Sequence, residues 1–176
     1  MGWTHKSRFV AGGHRTDAPI ESTHSAVISL LGVRVITFLS ELNGLELWNT
    51  DIGNTCLESC TSEKVCFVAG AEFGELAGHT LIICKAQCGL KSSGKCLHDR
   101  LHDVLQSMGF TPSKAEEDIW MRDCGDHYEC IGVCVDDLII ASRNPQPIID
   151  EPQAKPHSFK LKGTEPVNFH LGCDYF

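Results

Sequence analysis

The chain lacks a hydrophobic run long enough to cross a membrane. Its longest apolar stretch, Ala26–Leu39, is interrupted by a serine, a glycine, an arginine and a threonine, whereas a bilayer-spanning helix needs about 20 predominantly apolar residues. The first residues, Met1–Lys6, also lack the apolar core of a signal peptide. We therefore expect neither a membrane protein nor a secreted precursor, and we expect an intracellular, cytoplasmic location for the expressed chain.

The ten cysteines include no C-x-x-C pair, the spacing typical of zinc knuckles. Three pairs are instead four residues apart: Cys56/Cys60, Cys84/Cys88 and Cys130/Cys134. A disulfide framework is not expected without a signal peptide, because reducing compartments keep thiols free. The favoured interpretation is buried free thiols that behave as small hydrophobic residues. A cysteine-based metal or redox function stays open as an alternative.

Basic residues are outnumbered, since 15 lysines and arginines face 23 aspartates and glutamates, for a net charge of −8. This balance argues against a generic nucleic-acid-binding surface. The charge is uneven, however, with +2 on residues 1–34 and −10 on the remainder. A basic edge beside an acidic body can bind a phosphate-rich ligand if the acidic residues hold metal ions.

Apolar periodicity and turn residues indicate one α+β domain in the 176 residues. The patterns predict helices at 26–42, at 91–108 and from 145 onward. They predict strands at 8–11, 45–51, 64–69, 80–84, 118–121, 129–135, 138–141 and 168–175. Because helices alternate with hairpins rather than with regular βαβ units, we expect a mainly antiparallel sheet with helices on one face.

Three aspartates stand at the ends of predicted strands. Asp51 ends one strand, and Asp136 and Asp137 form the tip of a hairpin. Magnesium prefers hard oxygen ligands, and two such ions about 4 Å apart can activate a hydroxyl and neutralise a leaving pyrophosphate. An Asp-Asp dipeptide is also common in ordinary solvated turns, so this pattern alone does not decide the function.

Five segments together resemble one family, the reverse transcriptases of copia-type long-terminal-repeat retrotransposons. Asp51–Leu57 is similar to the motif D-V-x-N-A-F/Y-L, and Cys134–Leu138 to the Y-V-D-D-L box. The other three segments are Lys6–Gly13 (K-A-R-L-V-A-x-G), Lys85–Gly94 (K-A-L-Y-G-L-K-Q-S-G/P), and Phe159–Lys162 followed by Phe169–Gly172 (F-x-M-K and Y-F-L-G). They occur in the family's order and spacing and cover essentially the whole chain.

The resemblance implies a fragment of an RNA-directed DNA polymerase with a palm-like antiparallel sheet, helices on one face and partial fingers. Residues of about 1–44 and 60–110 would be fingers-like, and residues of about 45–59 and 111–176 palm-like. The thumb and RNase H regions would be absent. The implied partners are an RNA or DNA template–primer and deoxynucleoside triphosphates, without a membrane, and the chain would normally be part of a larger polyprotein.

The resemblance also assigns site residues. Asp51, Asp136 and Asp137 would bind two Mg²⁺ (or Mn²⁺) ions, with a backbone carbonyl from Ile52. Lys162 would be a proton donor to the departing pyrophosphate. The implied nucleotide-binding residues are Lys6, Arg8, Gly53, Asn54, Thr55, Cys56 and Val135. For Lys6 and Arg8, solvated surface charge is an equal alternative.

Several cysteines stand where the family pattern usually has tyrosine or phenylalanine, namely Cys56, Cys66, Cys88 and Cys134. At Cys56 the usual ring would exclude a 2′-hydroxyl, so we expect this chain to accept ribonucleotides. Each thiol in place of a buried ring also costs packing energy, typically a few kcal/mol. Two functions therefore stay open: a two-metal polymerase, and a catalytically inactive, truncated remnant of a retroelement.

Overall fold

The computed structural model describes residues 9–17, 19, 23–61 and 63–175, with backbone alone at positions 55, 56 and 173. The chain divides into two compact units. Unit 1 comprises Met1–His24 and Cys56–Leu97, and unit 2 comprises Ser25–Thr55 and His98–Phe176.

Three α-helices and ten strands lie in the described ranges. The helices are α1 (Leu30–Asn43), α2 (Ser93–Ser107) and α3 (Pro145–Gln153). The strands are β1 (Glu46–Ile52), β2 (Cys66–Val68), β3 (Thr80–Ile82), β4 (Thr111–Pro112), β5 (Ile119–Asp123), β6 (Tyr128–Cys134), β7 (Asp137–Ser142), β8 (Leu161–Pro166), β9 (Phe169–His170) and β10 (Cys173–Asp174). No helix in these ranges combines the length and the apolar character that crossing a bilayer requires.

Unit 2 is built on a six-stranded sheet in the order β4-β5-β6-β7-β1-β8. Every neighbouring pair in it is antiparallel. The predicted α+β class and mainly antiparallel sheet are therefore confirmed. The chain reaches β1 through α1, which ends at Gly44 in the left-handed conformation (φ 61°, ψ 40°), the usual end of a helix before a glycine.

The sheet carries helices on both faces, so the prediction of helices on one face is wrong. Val33 and Ile36 of α1 pack in one core cluster with Ile139. Ile119 of β5 belongs to the same cluster. The next residue, Trp120, therefore points to the opposite face, because neighbouring residues of a strand alternate in direction, and its indole contacts the His102 ring of α2 at 4.3 Å between centroids. The physical reason is β6, where residues 129–133 are all buried and need cover on both sides.

Gly132 in β6 allows the close approach of α1 and the segment before it. A Cβ at this position would lie 2.6 Å from the Ile28 side chain and 2.8 Å from the Ile36 side chain. Helix α1 begins at Leu30 rather than at the predicted Ala26, because the Ser29 side chain accepts a hydrogen bond from the Gly32 amide and caps the helix. The residues before the cap are extended, and the Ile28 amide donates to the Val133 carbonyl.

Two other element predictions are corrected. Residues 9–11 of the predicted first strand are not in a strand, although the Ala11 amide donates to the Cys88 carbonyl at 2.8 Å. The predicted single strand at 168–175 is a hairpin of β9 and β10, because Leu171 and Gly172 both adopt positive φ and turn the chain.

In unit 1, the strands predicted at 64–69 and 80–84 are present as β2 and β3, and the structure pairs them as an antiparallel hairpin. Three phenylalanine rings pack beside one another, with centroids 5.4 to 5.9 Å apart: Phe9, Phe67 and Phe73.

The expected burial of the cysteines is wrong for most of them. Among the eight whose side chains are described, four are exposed: Cys60, Cys66, Cys84 and Cys124. Cys130 is buried, and burial raises its pKa to about 11, so this thiol stays protonated and behaves as a small hydrophobic residue.

Candidate active site

Strands β1 and β7 bring the three predicted carboxylates together at one end of the sheet. In the antiparallel register Asp51 lies directly opposite Asp137, which puts both side chains on the same face with Cβ atoms about 5 Å apart. The Ile52 amide donates to the Asp136 carbonyl at 2.8 Å. Asp136 therefore lies beside the end of β1, next to the opposed pair.

The turn that presents Asp136 contains a strained residue. Val135 has a φ of 58°, a conformation that is a genuine outlier for a β-branched residue and costs about 1–3 kcal/mol. Its side chain is exposed, so burial of the valine does not offset the cost. Such strain typically persists at functional sites, where the surrounding structure holds it in place.

The electrostatics of the three aspartates reflect their crowding. Burial raises the pKa of Asp137, and the charges of Asp136 and Asp51 raise it further, while His170 acts in the opposite direction. All three aspartates are half-buried. Two neighbouring carboxylates therefore make ionisation of Asp137 less favourable, and a bound cation would relieve the repulsion.

Lys162 lies on the other side of Asp51 from Asp137. Strand β8 pairs with β1 so that Lys162 is the register partner of Asp51. Its side chain lies over the backbone of Gly53, because a Cβ built at Gly53 would be 2.3 Å from the Lys162 Cε and 2.8 Å from the Nζ. A glycine at position 53 therefore leaves the space that the lysine occupies.

The predicted nucleotide-binding residues are only partly described. Gly53 is buried, and its amide donates to the Lys160 carbonyl at 2.6 Å. Asn54 is exposed with a positive φ of 57°. Thr55 and Cys56 begin a 3-10 helix that runs to Glu58, and their side chains are not described. Lys6 and Arg8 lie outside the described residues.

Sequence reasoning missed His170, which stands where the family motif Y-F-L-G has phenylalanine. The residue is 5% exposed, and its Nε2 atom has no hydrogen-bond partner among the described residues. Burial lowers the pKa of His170, while Asp137 acts in the opposite direction. The only signal in the sequence is a polar residue at an apolar motif position.

The donor set at this end of the sheet fits a hard divalent cation. The side chains of Asp51, Asp136 and Asp137 offer carboxylate oxygens, the ligand type that Mg²⁺ and Mn²⁺ prefer. The Asp51–Asp137 register brings two of these carboxylates together; burial raises the pKa of Asp137, and the charges of Asp136 and Asp51 raise it further. Their partial exposure leaves room for water or a phosphate as additional ligands.

The chain matches the family described as "Reverse transcriptase (RNA-dependent DNA polymerase)" over residues 2–176. It belongs to this reverse transcriptase family. The resemblance to copia-type retrotransposon enzymes drawn from the motifs is thereby confirmed.

Two curated relatives of this reverse transcriptase chain are the retrovirus-related Pol polyproteins from transposons RE1 and RE2 of Arabidopsis thaliana. Each is 22% identical over 174 residues. The alignments cover 97% of this chain and 12% of each relative, so the chain spans about an eighth of their length. No solved structure matches the chain.

Proposed function

We propose that the chain carries the metal-binding centre of an RNA-directed DNA polymerase that uses two divalent ions for nucleotidyl transfer. The observation that supports this most strongly is the juxtaposition of Asp51 and Asp137 across β1 and β7, with Asp136 at the adjoining turn. The partners would be a template–primer of RNA or DNA and deoxynucleoside triphosphates, in the context of a larger polyprotein.

In this proposal the three aspartates, with the Ile52 carbonyl, hold two Mg²⁺ or Mn²⁺ ions. When bound, the ions activate the primer hydroxyl and neutralise the charge of the leaving pyrophosphate. The half-buried aspartates need no large rearrangement, because antiparallel pairing already fixes their mutual position. The strained turn at Val135 places Asp136 at the exposed tip.

Lys162 is proposed to donate a proton to the pyrophosphate. Its register position beside Asp51 places it on the same face as the aspartates, and its ammonium group lies over Gly53. The Gly53 amide already donates to the Lys160 carbonyl, so it is not available to the triphosphate. Gly53 would instead contribute by leaving space for the Lys162 side chain. Asn54 and Thr55 follow in the same loop and remain candidates for contacts to the triphosphate.

We also propose that the sheet of unit 2 is the palm and that unit 1 holds part of the fingers. Helix α1, which the sequence assigned to the fingers-like part, packs on β6 and β7 within unit 2. We therefore place α1 with the palm. The support is its cluster with Ile139, on the strand that begins at Asp137.

Single-nucleotide primer extension on an RNA template tests the proposed function. With Mg²⁺ present, the unmodified chain should extend the primer and Asp136→Asn should not. Asp103→Asn, which alters an exposed aspartate of α2, is the matched control and should extend normally. A chain that binds metal at the aspartates but extends no primer would support the alternative, an inactive remnant.

The same assay tests the expectation about the nucleotide sugar. The Cys56 side chain lies outside the described residues, so acceptance of ribonucleotides stays a prediction. Cys56→Tyr should restore preference for deoxyribonucleotides, because a bulky ring excludes the 2′-hydroxyl by occupying its space. Strong deoxy preference in the unmodified chain would assign this selection to another residue.

A further inference from the structure

The opposite end of β6 carries a second cluster of metal-ligating side chains. The β5–β6 hairpin turns at residues 124–127, where the Cys124 amide donates to the His127 carbonyl at 3.0 Å. One ligand atom each of Cys124, His127 and Glu129 lies within 4.8 Å of the other two. The cluster follows the pattern C-x-x-H-x-E, which differs from the C-x-x-x-C spacings considered in the sequence.

His127 is the residue that indicates a missing ligand. Its side chain is 9% exposed, and its Nδ1 atom lies 2.7 Å from an Asp126 carboxylate oxygen. Because Nδ1 carries the hydrogen for that bond, Nε2 has the lone pair. Nε2 is buried, and no described residue bonds to it. A buried acceptor without a partner is unfavourable, and a metal ion would satisfy it.

Asp126 is held in place as the partner of His127. Its other carboxylate oxygen accepts from Arg143 at 2.6 Å. Both carboxylate oxygens of Asp126 are therefore hydrogen-bonded, one to His127 and the other to Arg143. A histidine that ligates a metal through one nitrogen and donates from the other to a carboxylate is the usual arrangement in zinc proteins.

Cys124 and Glu129 supply the other two donors. Cys124 is exposed. The Glu129 oxygens accept from Arg122 at 2.7 Å and from Ser142 at 2.6 Å. The Glu129 Oε2 atom accepts from both Nε and Nη2 of Arg122, whereas Oε1 accepts from Ser142 and has a second lone pair that a metal can use. The Arg122 charge opposes a cation here, whereas the carboxylate and a Cys124 thiolate favour it.

We propose that Cys124, His127 and Glu129 bind a zinc ion at the tip of the β5–β6 hairpin, with water or an external group as the fourth ligand. Sulfur, imidazole and carboxylate donors together suit Zn²⁺ rather than Mg²⁺. Binding forms a zinc–sulfur bond and releases the thiol proton to solvent. Tetrahedral zinc places its ligand atoms about 3.5 Å apart, so the side chains close inward by roughly 1 Å.

This zinc site is independent of reverse transcription, because it shares no ligand with the three aspartates at the other end of β6. Asp126 acts as a positioning residue, since it contacts the imidazole and not the ion.

Competition with a chromophoric chelator measures the zinc affinity of the full chain, stripped of metal under reducing conditions. Cys124→Ser and His127→Gln should each weaken zinc binding by about 100-fold or more, and Asp126→Asn by about 10–100-fold. The matched controls are Cys66→Ser and His79→Gln, which alter an exposed cysteine and an exposed histidine of unit 1 and should change nothing. Affinity unaffected by both ligand variants would overturn the proposal.

Two further readouts use the unmodified chain alone and do not require a variant to fold. Cobalt substitution should give a thiolate-to-metal charge-transfer band. One equivalent of Zn²⁺ should protect Cys124 from iodoacetamide, as measured by peptide mapping, while Cys66 stays reactive. Absence of the band, or equal alkylation of Cys124 with and without zinc, would contradict the proposed site.

Discussion

Asp126 and Asp137 lie at the turns on the two ends of strand β6, and their surroundings have opposite effects. Hydrogen bonds from His127 and Arg143 lower the pKa of Asp126 to about 2. Burial and the charges of Asp136 and Asp51 raise the pKa of Asp137. The chain therefore neutralises its own carboxylate at one end of the strand, and it gathers like charges at the other.

The difference indicates what each end is built to bind. Carboxylates that repel one another destabilise the fold unless a cation joins them, so their assembly on β1 and β7 is typical of a functional site rather than of a structural one. At the β5–β6 end, the His127–Asp126 hydrogen bond and the Arg143–Asp126 ion pair fix side-chain positions around the buried His127 nitrogen. In the proposed account, one end would attract hard cations by charge, whereas the other offers fixed side-chain positions.

The largest effect on stability is expected at the hairpin end of β6, where Arg122 pairs with Glu129, from the substitution Glu129→Gln. The change leaves Arg122 without its carboxylate partner, and removing one member of a buried pair costs about 3–5 kcal/mol. Arg122 is 28% exposed, so water recovers part of this, and we expect a loss of about 2–3 kcal/mol. Urea denaturation with a metal chelator present measures it. Glu75→Gln, at an exposed position of unit 1, is the control, and a loss no larger than the control's would contradict the account.

At the other end of β6, where Asp51, Asp136 and Asp137 lie close together, we expect a smaller change in stability of opposite sign. Without metal, Asp137→Asn should raise the free energy of unfolding by up to about 1 kcal/mol, because it removes a like charge directly opposite Asp51. Asp126→Asn should instead lower it. Thermal unfolding in chelator compares the two variants. Saturating Mg²⁺ should stabilise the unmodified chain and remove the advantage of the asparagine; destabilisation by Asp137→Asn in chelator would show that the repulsion is absent.

The smallest effects concern stability at acid pH. There, Asp126 and Asp137 should contribute to the free energy of unfolding with opposite signs. The pKa of Asp126 is lower in the folded chain than its ordinary 3.8, so its stabilising contribution is present above about pH 4 and is lost as the pH falls toward 2. The pKa of Asp137 is raised by folding. Its destabilising contribution is therefore present above the folded pKa and disappears as the pH falls through that value toward 3.8.

Urea denaturation of the unmodified chain, Asp126→Asn and Asp137→Asn between pH 2 and pH 6 checks these signs. The stability gap to Asp137→Asn should close at a higher pH than the gap to Asp126→Asn. If the stability gap to Asp126→Asn closed at the higher pH instead, the opposite pKa shifts of Asp126 and Asp137 would be assigned to the wrong residues.

The sequence predicts best where local pattern and motif agree. Alternating apolar residues predict β6 and β7, and the motifs identify Asp51, Asp136 and Asp137 at strand ends. The apolar spacing predicts too early a start for α1, because Ala26 and Val27 fit the helical period although their backbone is not helical. The Ser29 cap determines where the helix begins.

Features that depend on contacts between distant segments were not predictable. The burial of Trp120 beside α2 requires knowledge of which helix covers which face. His170 affects the pKa of Asp137 from β9, which pairs with β10 in a separate hairpin, and no short motif encodes where that hairpin lies. The zinc ligands carried a signal in the C-x-x-H spacing, but its meaning depends on the turn at Asp126 and on the ion pair with Arg143.

Binding of Mn²⁺, followed by the electron paramagnetic resonance signal of the free ion, tests most directly whether the three aspartates form a metal centre. The account predicts that the unmodified chain binds Mn²⁺ and that Asp51→Asn and Asp136→Asn each weaken binding by about 10–100-fold or more, since loss of an outer-shell partner alone has an effect of that size. Asp103→Asn should bind normally. Mn²⁺ affinity unchanged by both Asp51→Asn and Asp136→Asn would contradict the account.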